Sequence, residues 1–284
     1  NFGLIFAAAD RIYRVLEAEP LVEDTGKDVE AGKLTPEIQF DHVSFRYREE
    51  LDLAADDLSF HIHPGEHVAI AGASGAGKST CIQLLLRNWD PEKGCIRIGG
   101  KDIRDMSLKS LNEMYGTVLQ DVYLFQISIL ENIRLGRSGA TDEEVIEAAK
   151  EAFAHEFIME LPDGYQTVAG EGGVKLSGGQ RQAMALLMTT MAPIEILILD
   201  EHTAALDPKT AELIMELTGK VVKEKNLTTI MVTHNLRYAV EYGNRILMMH
   251  QGHAVLDKAG EEKAKLVVDD LLDQFNQISI ECGN

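Results

Sequence analysis

Apolar and polar positions change rhythm several times along the chain, and each change predicts an element. Near the start, Leu4, Ile5, Ala8, Ile12, Val15 and Leu16 recur at helical spacing until Pro20, and an acidic, glycine-containing stretch follows to Pro36. This predicts a helix and a linker. IQFDHVSFRY from Ile38 and DLSFHIH from Asp57 alternate apolar with polar residues, as strands of a half-exposed sheet do. HVAIAG, 67–72, reads as a buried strand running straight into a glycine loop, GASGAGKST, and the apolar helix CIQLLLRNW. From Asp121 to about Leu161 the pattern is helical and acidic. Thr141 and Glu144 have capping-box spacing, with Val145, Ala149 and Phe153 expected on one face behind them. Between Asp142 and Asp163 stand eight acids and one base, Lys150, the pattern of a solvated helix face. From Ile194 onward a buried strand (EILILD), an amphipathic helix (TAELIMELTGKVVKEK) and another buried strand (TTIMVTH) imply a parallel sheet covered on both faces.

Composition narrows the function. The 284 residues carry 27 Lys+Arg against 46 Asp+Glu, a formal net charge of −19, which argues against nucleic acid as a partner because phosphate neutralisation needs a basic face. Cys81, Cys95 and Cys282 have no CxxC spacing, so neither a disulfide framework nor a zinc site is predicted from them, and a reducing compartment fits. Cys81 follows the glycine loop at a helix start, where a thiol is either activated or, if buried, inert. No run of about 18 apolar residues occurs. The first residues do not have the form of a signal peptide and read as a cut end.

Gly72 to Thr80 match GxxxxGK[ST] between a buried strand and a helix. Backbone amides at Gly75, Ala76, Gly77 and Lys78 can wrap phosphate oxygens, with Ser74 and Thr80 in the same loop, and the helix N-terminus adds favourable dipole. Lys78 would bridge β- and γ-phosphates, and Ser79 would offer its hydroxyl to Mg2+. The rival fingerprint GxGxxG fails, since after Gly75 and Gly77 its last position is Thr80. Ile196–Leu199 followed by Asp200 is a buried strand ending in an acid at its carboxyl edge. Asp200 would hold the metal through water, and Glu201 would polarise the water attacking the γ-phosphate. The predicted fold is therefore α/β: a P-loop NTPase core with a mainly parallel sheet, an antiparallel β subdomain near its start and a helical subdomain inserted in its middle. By contrast, His61 and His63 read as two residues on one strand face, and Trp89 reads as core.

At LSGGQ, Leu176 to Gln180, the chain resembles the ATP-binding cassette ATPases, the motor domains of ABC transporters. The resemblance implies ATP and Mg2+ as ligands and assigns further roles by position. Tyr47 would stack on adenine, and Gln120 would touch the metal and the attacking water and sense a transmembrane partner. Asp207, in AALD, falls in the D-loop, and His234 would contact the γ-phosphate. Ser177, Gly178, Gly179 and Gln180 would serve the nucleotide of a second cassette across a head-to-tail homo- or heterodimer. The family also implies a transmembrane domain as partner and a place on the cytoplasmic face of a membrane.

On this reading residues 1–37 are the end of a transmembrane-domain helix and its linker, and 38–284 are the cassette. Its core comprises 38–120 and 177–284, with 121–176 as the helical subdomain. Residues 1–182 resemble exporter cassettes, with Glu171 fitting that pattern and Gly172 replacing an arginine; residues 183–284 resemble bacterial uptake cassettes, as a chimera would. An exporter ATPase is the leading expectation. A separate importer subunit and a non-transport clamp are the alternatives.

Overall fold

A computed structural model describes residues 2–17, 20–24, 26–30 and 32–281, so Cys282 lies outside the described residues. The strands are β1 (Ile38–Phe45), β2 (Ala55–Ile62), β3 (His67–Gly72), β4 (Lys93–Ile98), β5 (Lys101–Asp102), β6 (Tyr115–Leu119), β7 (Ile196–Asp200), β8 (Thr228–Thr233), β9 (Arg245–His250) and β10 (His253–Ala259). Four of them form an antiparallel sheet in the order β2-β1-β4-β5. Six form the order β10-β9-β3-β8-β7-β6, parallel from β9 to β6, with β10 returning antiparallel. Strand β8 is buried along its whole length and β3 and β7 nearly so, because both faces of this sheet are covered.

The helices are α1 (Phe2–Leu16), α2 (Lys78–Leu85), α3 (Leu108–Met114), α4 (Ile129–Arg134), α5 (Asp142–Glu151), α6 (His155–Met159), α7 (Gly178–Thr190), α8 (Pro208–Lys225), α9 (Leu236–Glu241), α10 (Gly260–Ala264) and α11 (Val268–Glu281). Strand alternation divides the core into layers. Val68, Ile70, Ile196 and Ile198 face the antiparallel sheet and α2, whereas Ala69, Ala71, Leu197 and Leu199 face α8 and α9. A third cluster joins Leu130, Ile133, Val145, Ala149 and Ile158. Helix α7 belongs to two of these layers. Its Ala183 and Leu186 pack on the sheet side, and its Met184 and Leu187, with Met191 just past its end, pack on the helical side, because 3.6-residue periodicity turns the apolar run 183–188 to both.

Some elements depart from the sequence pattern. The helix after the glycine loop ends at Leu85, and Arg87 turns the chain with φ +54°. The buried Arg87 guanidinium donates to Met106 O at 3.1 Å and to Glu23 O at 3.0 Å, so it fastens the linker to the core. Trp89 falls beyond the helix, half-buried against Phe45. Phe153 does not share the buried face of Val145 and Ala149: α5 stops at Glu151, Phe153 takes φ +52° and is 49% exposed, and Lys220 Nζ sits 4.6 Å from its ring centre. In α1, Phe6, Ile12 and Leu16 are exposed. Among the described residues no helix is long and apolar enough to cross a membrane.

Candidate functional site

The carboxyl ends of β3, β7 and β8 are neighbours in the parallel sheet, so the loops leaving them meet at one edge. The first is the glycine loop. Gly77 has φ +96° and caps α2 without any side-chain bond, and a Cβ there would meet Ala54 O at 2.3 Å. Only glycine fits both demands. The first amides of α2 are thus left without a capping side chain, which suits an anion supplied from outside. Lys78 folds back, and its Nζ donates to Gly72 O and Ala73 O, both at 2.9 Å. Burial pulls its ammonium below the usual lysine range, opposed by the nearby carboxylates of Glu201 and Asp200. Ser74, Gly75 and Ser79 are exposed, while Gly72, Ala76 and Thr80 are buried.

Strand β7 delivers the acids. Asp200 Oδ1 is buried with no hydrogen-bond partner among the described residues. Burial first and the Glu201 charge second hold the Asp200 carboxyl above its ordinary range, with Lys78 pulling the other way. Glu201 takes φ +48°, an unusual conformation for a residue with a Cβ and one that concentrates at functional sites. Its Oε2 lies 3.4 Å from Nδ1 of His234, just past the end of β8. Both residues open into a cleft of about 470 Å³ that also takes in Thr203 and Asn235. Magnesium prefers hard oxygen donors, and the orphaned, buried carboxylate oxygen of Asp200 and the exposed hydroxyl of Ser79 are both of that kind.

Tyr47 meets this site from the antiparallel sheet, its hydroxyl 3.2 Å from Thr80 Oγ1 and its ring edge-on to Trp89 at 5.5 Å. Gln120 is exposed at the end of β6 and lines a different small cavity, with Gly178 and Leu206. Ser177–Gln180 form the start of α7, where Ser177 Oγ accepts from Gln180 N at 3.2 Å and Gln180 Oε1 accepts from Ser177 N at 2.9 Å. Gly178 packs against Leu206, and Gly179 is close enough to Thr210 that a Cβ would meet its methyl at 2.3 Å. Asp207 caps α8 by accepting from Thr210 N at 3.1 Å, and those bonds hold its carboxyl below the usual range. The structure thus gathers Tyr47, the glycine loop, Asp200, Glu201 and His234, and sets Ser177–Gln180 and Asp207 on the neighbouring α7–α8 side.

Two residues escaped the pattern reading. Gln182 Nε2 donates to Leu119 O at 3.2 Å and Gln120 O at 2.8 Å, tying α7 to the segment that carries Gln120. The available signal was an amide placed directly before the apolar run 183–188 of α7. His202, next to Glu201, is wholly buried, and burial pushes its imidazole down to about 4. Cys81 resolves to the inert alternative: its thiol is buried against Met249 Sδ at 3.6 Å, and burial pushes its pKa up to about 12.

Fold and glycine loop together define a phosphate-loop nucleotide-binding protein of α/β class. The sequence profile described as ABC transporter matches residues 55–204, and the chain belongs to that family. Among its relatives is a protein of Bacillus subtilis strain 168, YgaD, named as a candidate multidrug export ATP-binding/permease protein. It is 40% identical over 246 residues, covering 87% of this chain and 42% of that one. The ABC transporter aclQ of Aspergillus oryzae is 39% identical, over 89% of this chain and 31% of its own length. A solved structure of a bacterial Atm1-family ABC exporter with ATP bound superposes with a TM-score of 0.81 at 35% identity, covering 99% of this chain and 47% of that one. This chain therefore spans less than half the length of each of these relatives. A match covering 87% of the chain necessarily runs across residues 182 and 183.

Proposed function

We propose that the chain is the Mg-ATP-hydrolysing cassette of an exporter, working at the cytoplasmic face of a membrane with a transmembrane domain and paired head-to-tail with a second cassette. The observation that carries this reading is the meeting of Lys78, Asp200, Glu201 and His234 at the carboxyl edge of the sheet in a chain 35% identical to an ATP-bound exporter.

The phosphates of ATP take the place of the carbonyls that now hold Lys78, exchanging a neutral acceptor for an anionic one and strengthening the bond. The uncapped amides of α2 donate to oxygens of the β-phosphate. Ser79 and Asp200 would hold Mg2+, which would supply positive charge against the phosphates. Glu201 orients a water in line with the γ-phosphate and takes its proton, and His234, within reach of the same carboxylate, holds the γ-phosphate side of the cleft. Ser177, Gly178 and Gly179, at the outer start of α7, complete the partner cassette's site, while Tyr47 supports the adenine.

Replacement of Glu201 by Gln keeps shape and size but removes the base. Phosphate release should fall by about 10²–10⁴-fold, while ATP binding persists and an ATP-bound dimer accumulates on size exclusion. Near-normal turnover in Glu201→Gln would remove Glu201 from this role.

A further inference from the structure

Away from the phosphate site, the antiparallel sheet carries a cluster that ATP chemistry does not use. Strands β1 and β2 pair with Ile38 opposite Ile62 and Gln39 opposite His61. One step further in the same register sets Glu37 opposite His63, so Glu37, His61 and His63 share one face. That face points outward, because the alternate residues Ile38, Phe40, Phe60 and Ile62 are buried beneath it. One ligand atom from each of the three lies within 4.8 Å of the other two. His61 Nε2 already stands 2.6 Å from Glu37 Oε1, and the two imidazole rings are 4.4 Å apart between centres.

We propose that Glu37, His61 and His63 form a surface site for a divalent transition metal ion, with Zn2+ the ion best suited. Two imidazoles and a carboxylate are a borderline-soft donor set that Zn2+ accepts and Mg2+ does not favour. Metal–ligand bonds of about 2.0–2.2 Å at a tetrahedral angle need ligand atoms about 3.3 Å apart, so side-chain shifts on the order of 1 Å convert this cluster into a coordination shell. The backbone beneath is held in place: His63 N donates to Glu66 Oε2 at 2.9 Å, and Arg245 donates to His61 O. His63 is exposed, which leaves the fourth position to water. Because Glu37 stands where the linker enters β1, the ion would clamp that junction to the end of β2.

The test is calorimetric titration of the nucleotide-free 284-residue chain with Zn2+ in excess Mg2+, alongside visible absorption of Co2+ as a reporter of tetrahedral nitrogen and oxygen ligation. One saturable equivalent is expected. His61→Ala, His63→Ala and Glu37→Gln should each weaken it by more than about 10-fold, a loss that even outer-shell partners of a metal can cause. His42→Ala, which removes the exposed histidine paired with Asp57 on the same sheet, should leave it unchanged. Zn2+ should also raise the melting midpoint of the parent but not of the His61→Ala/His63→Ala double variant, which also shows that the variant folds. No saturable binding in the parent, or equal affinity in the double variant, overturns the proposal.

Discussion

The glycine loop at Gly72–Thr80 and the start of α7 at Ser177–Gln180 use the same materials, small residues running into a helix, and end in opposite states. At the first, Gly77 in the left-handed conformation starts α2 with no side-chain cap, and Lys78 is buried and parked on two loop carbonyls. At the second, Ser177 and Gln180 close a full capping box, so part of the helix start is already satisfied from within. Free helix amides demand a partner, and the two regions differ in who supplies it. On the proposed function, the glycine loop is the helix start kept open for phosphate. The start of α7 is a finished helix start, already closed from within by its own side chains.

That contrast can be broken most directly at Lys78. Lys78→Ala removes the charge that the open loop is built around, and turnover measured by phosphate release should drop on the order of 10²–10³-fold. Retained turnover would erase the distinction between the two helix starts.

His202 sharpens the comparison on the acid-bearing side. With the folded pKa near 4 and the unfolded one near 6.5, the unfolded chain binds the extra proton as pH falls between those values. Stability is then intact above about 6.5 and declines toward pH 4 by about 3 kcal/mol from this group. His202→Gln, still able to meet Thr218, should flatten that part of the pH profile in urea melts relative to the parent. Identical profiles would mean that His202 is not held neutral.

The smallest effect belongs to the capped helix. Ser177→Ala loses one half of the box and should cost about 1 kcal/mol in urea unfolding, leaving ATP binding to the single chain unaltered. A large loss of single-chain ATP binding would put the start of α7 inside the chain's own site.

Much of the fold was legible because it depends on near neighbours. Strands β3, β7 and β8 announce themselves as short apolar runs, and the box at Thr141 and Glu144 forms as its spacing predicts. Phe153 shows where this stops. Its spacing fits the α5 face, but the helix ends first, and no periodicity marks an end made by Ala154 N bonding back to Ala149 O. The two-layer role of α7 was equally hidden, since the unbroken apolar run 183–188 offers no single face to read.

At the site the division is similar. By itself the sequence determined the glycine loop, the lysine within it, the acids at a strand end and the LSGGQ run, because each is set by residues only a few positions apart. Only the tertiary structure decided that Glu201 and His234 come within 3.4 Å, that Asp200 keeps a buried oxygen without a partner, and that Cys81 and His202 are sealed from water. It also brought Glu37 beside His61 and His63. The reason is that these pairings follow from strand order and register, β3 beside β8 beside β7 and β1 against β2. A linear pattern of apolar and polar residues encodes which residues are buried far better than which burial partners they meet.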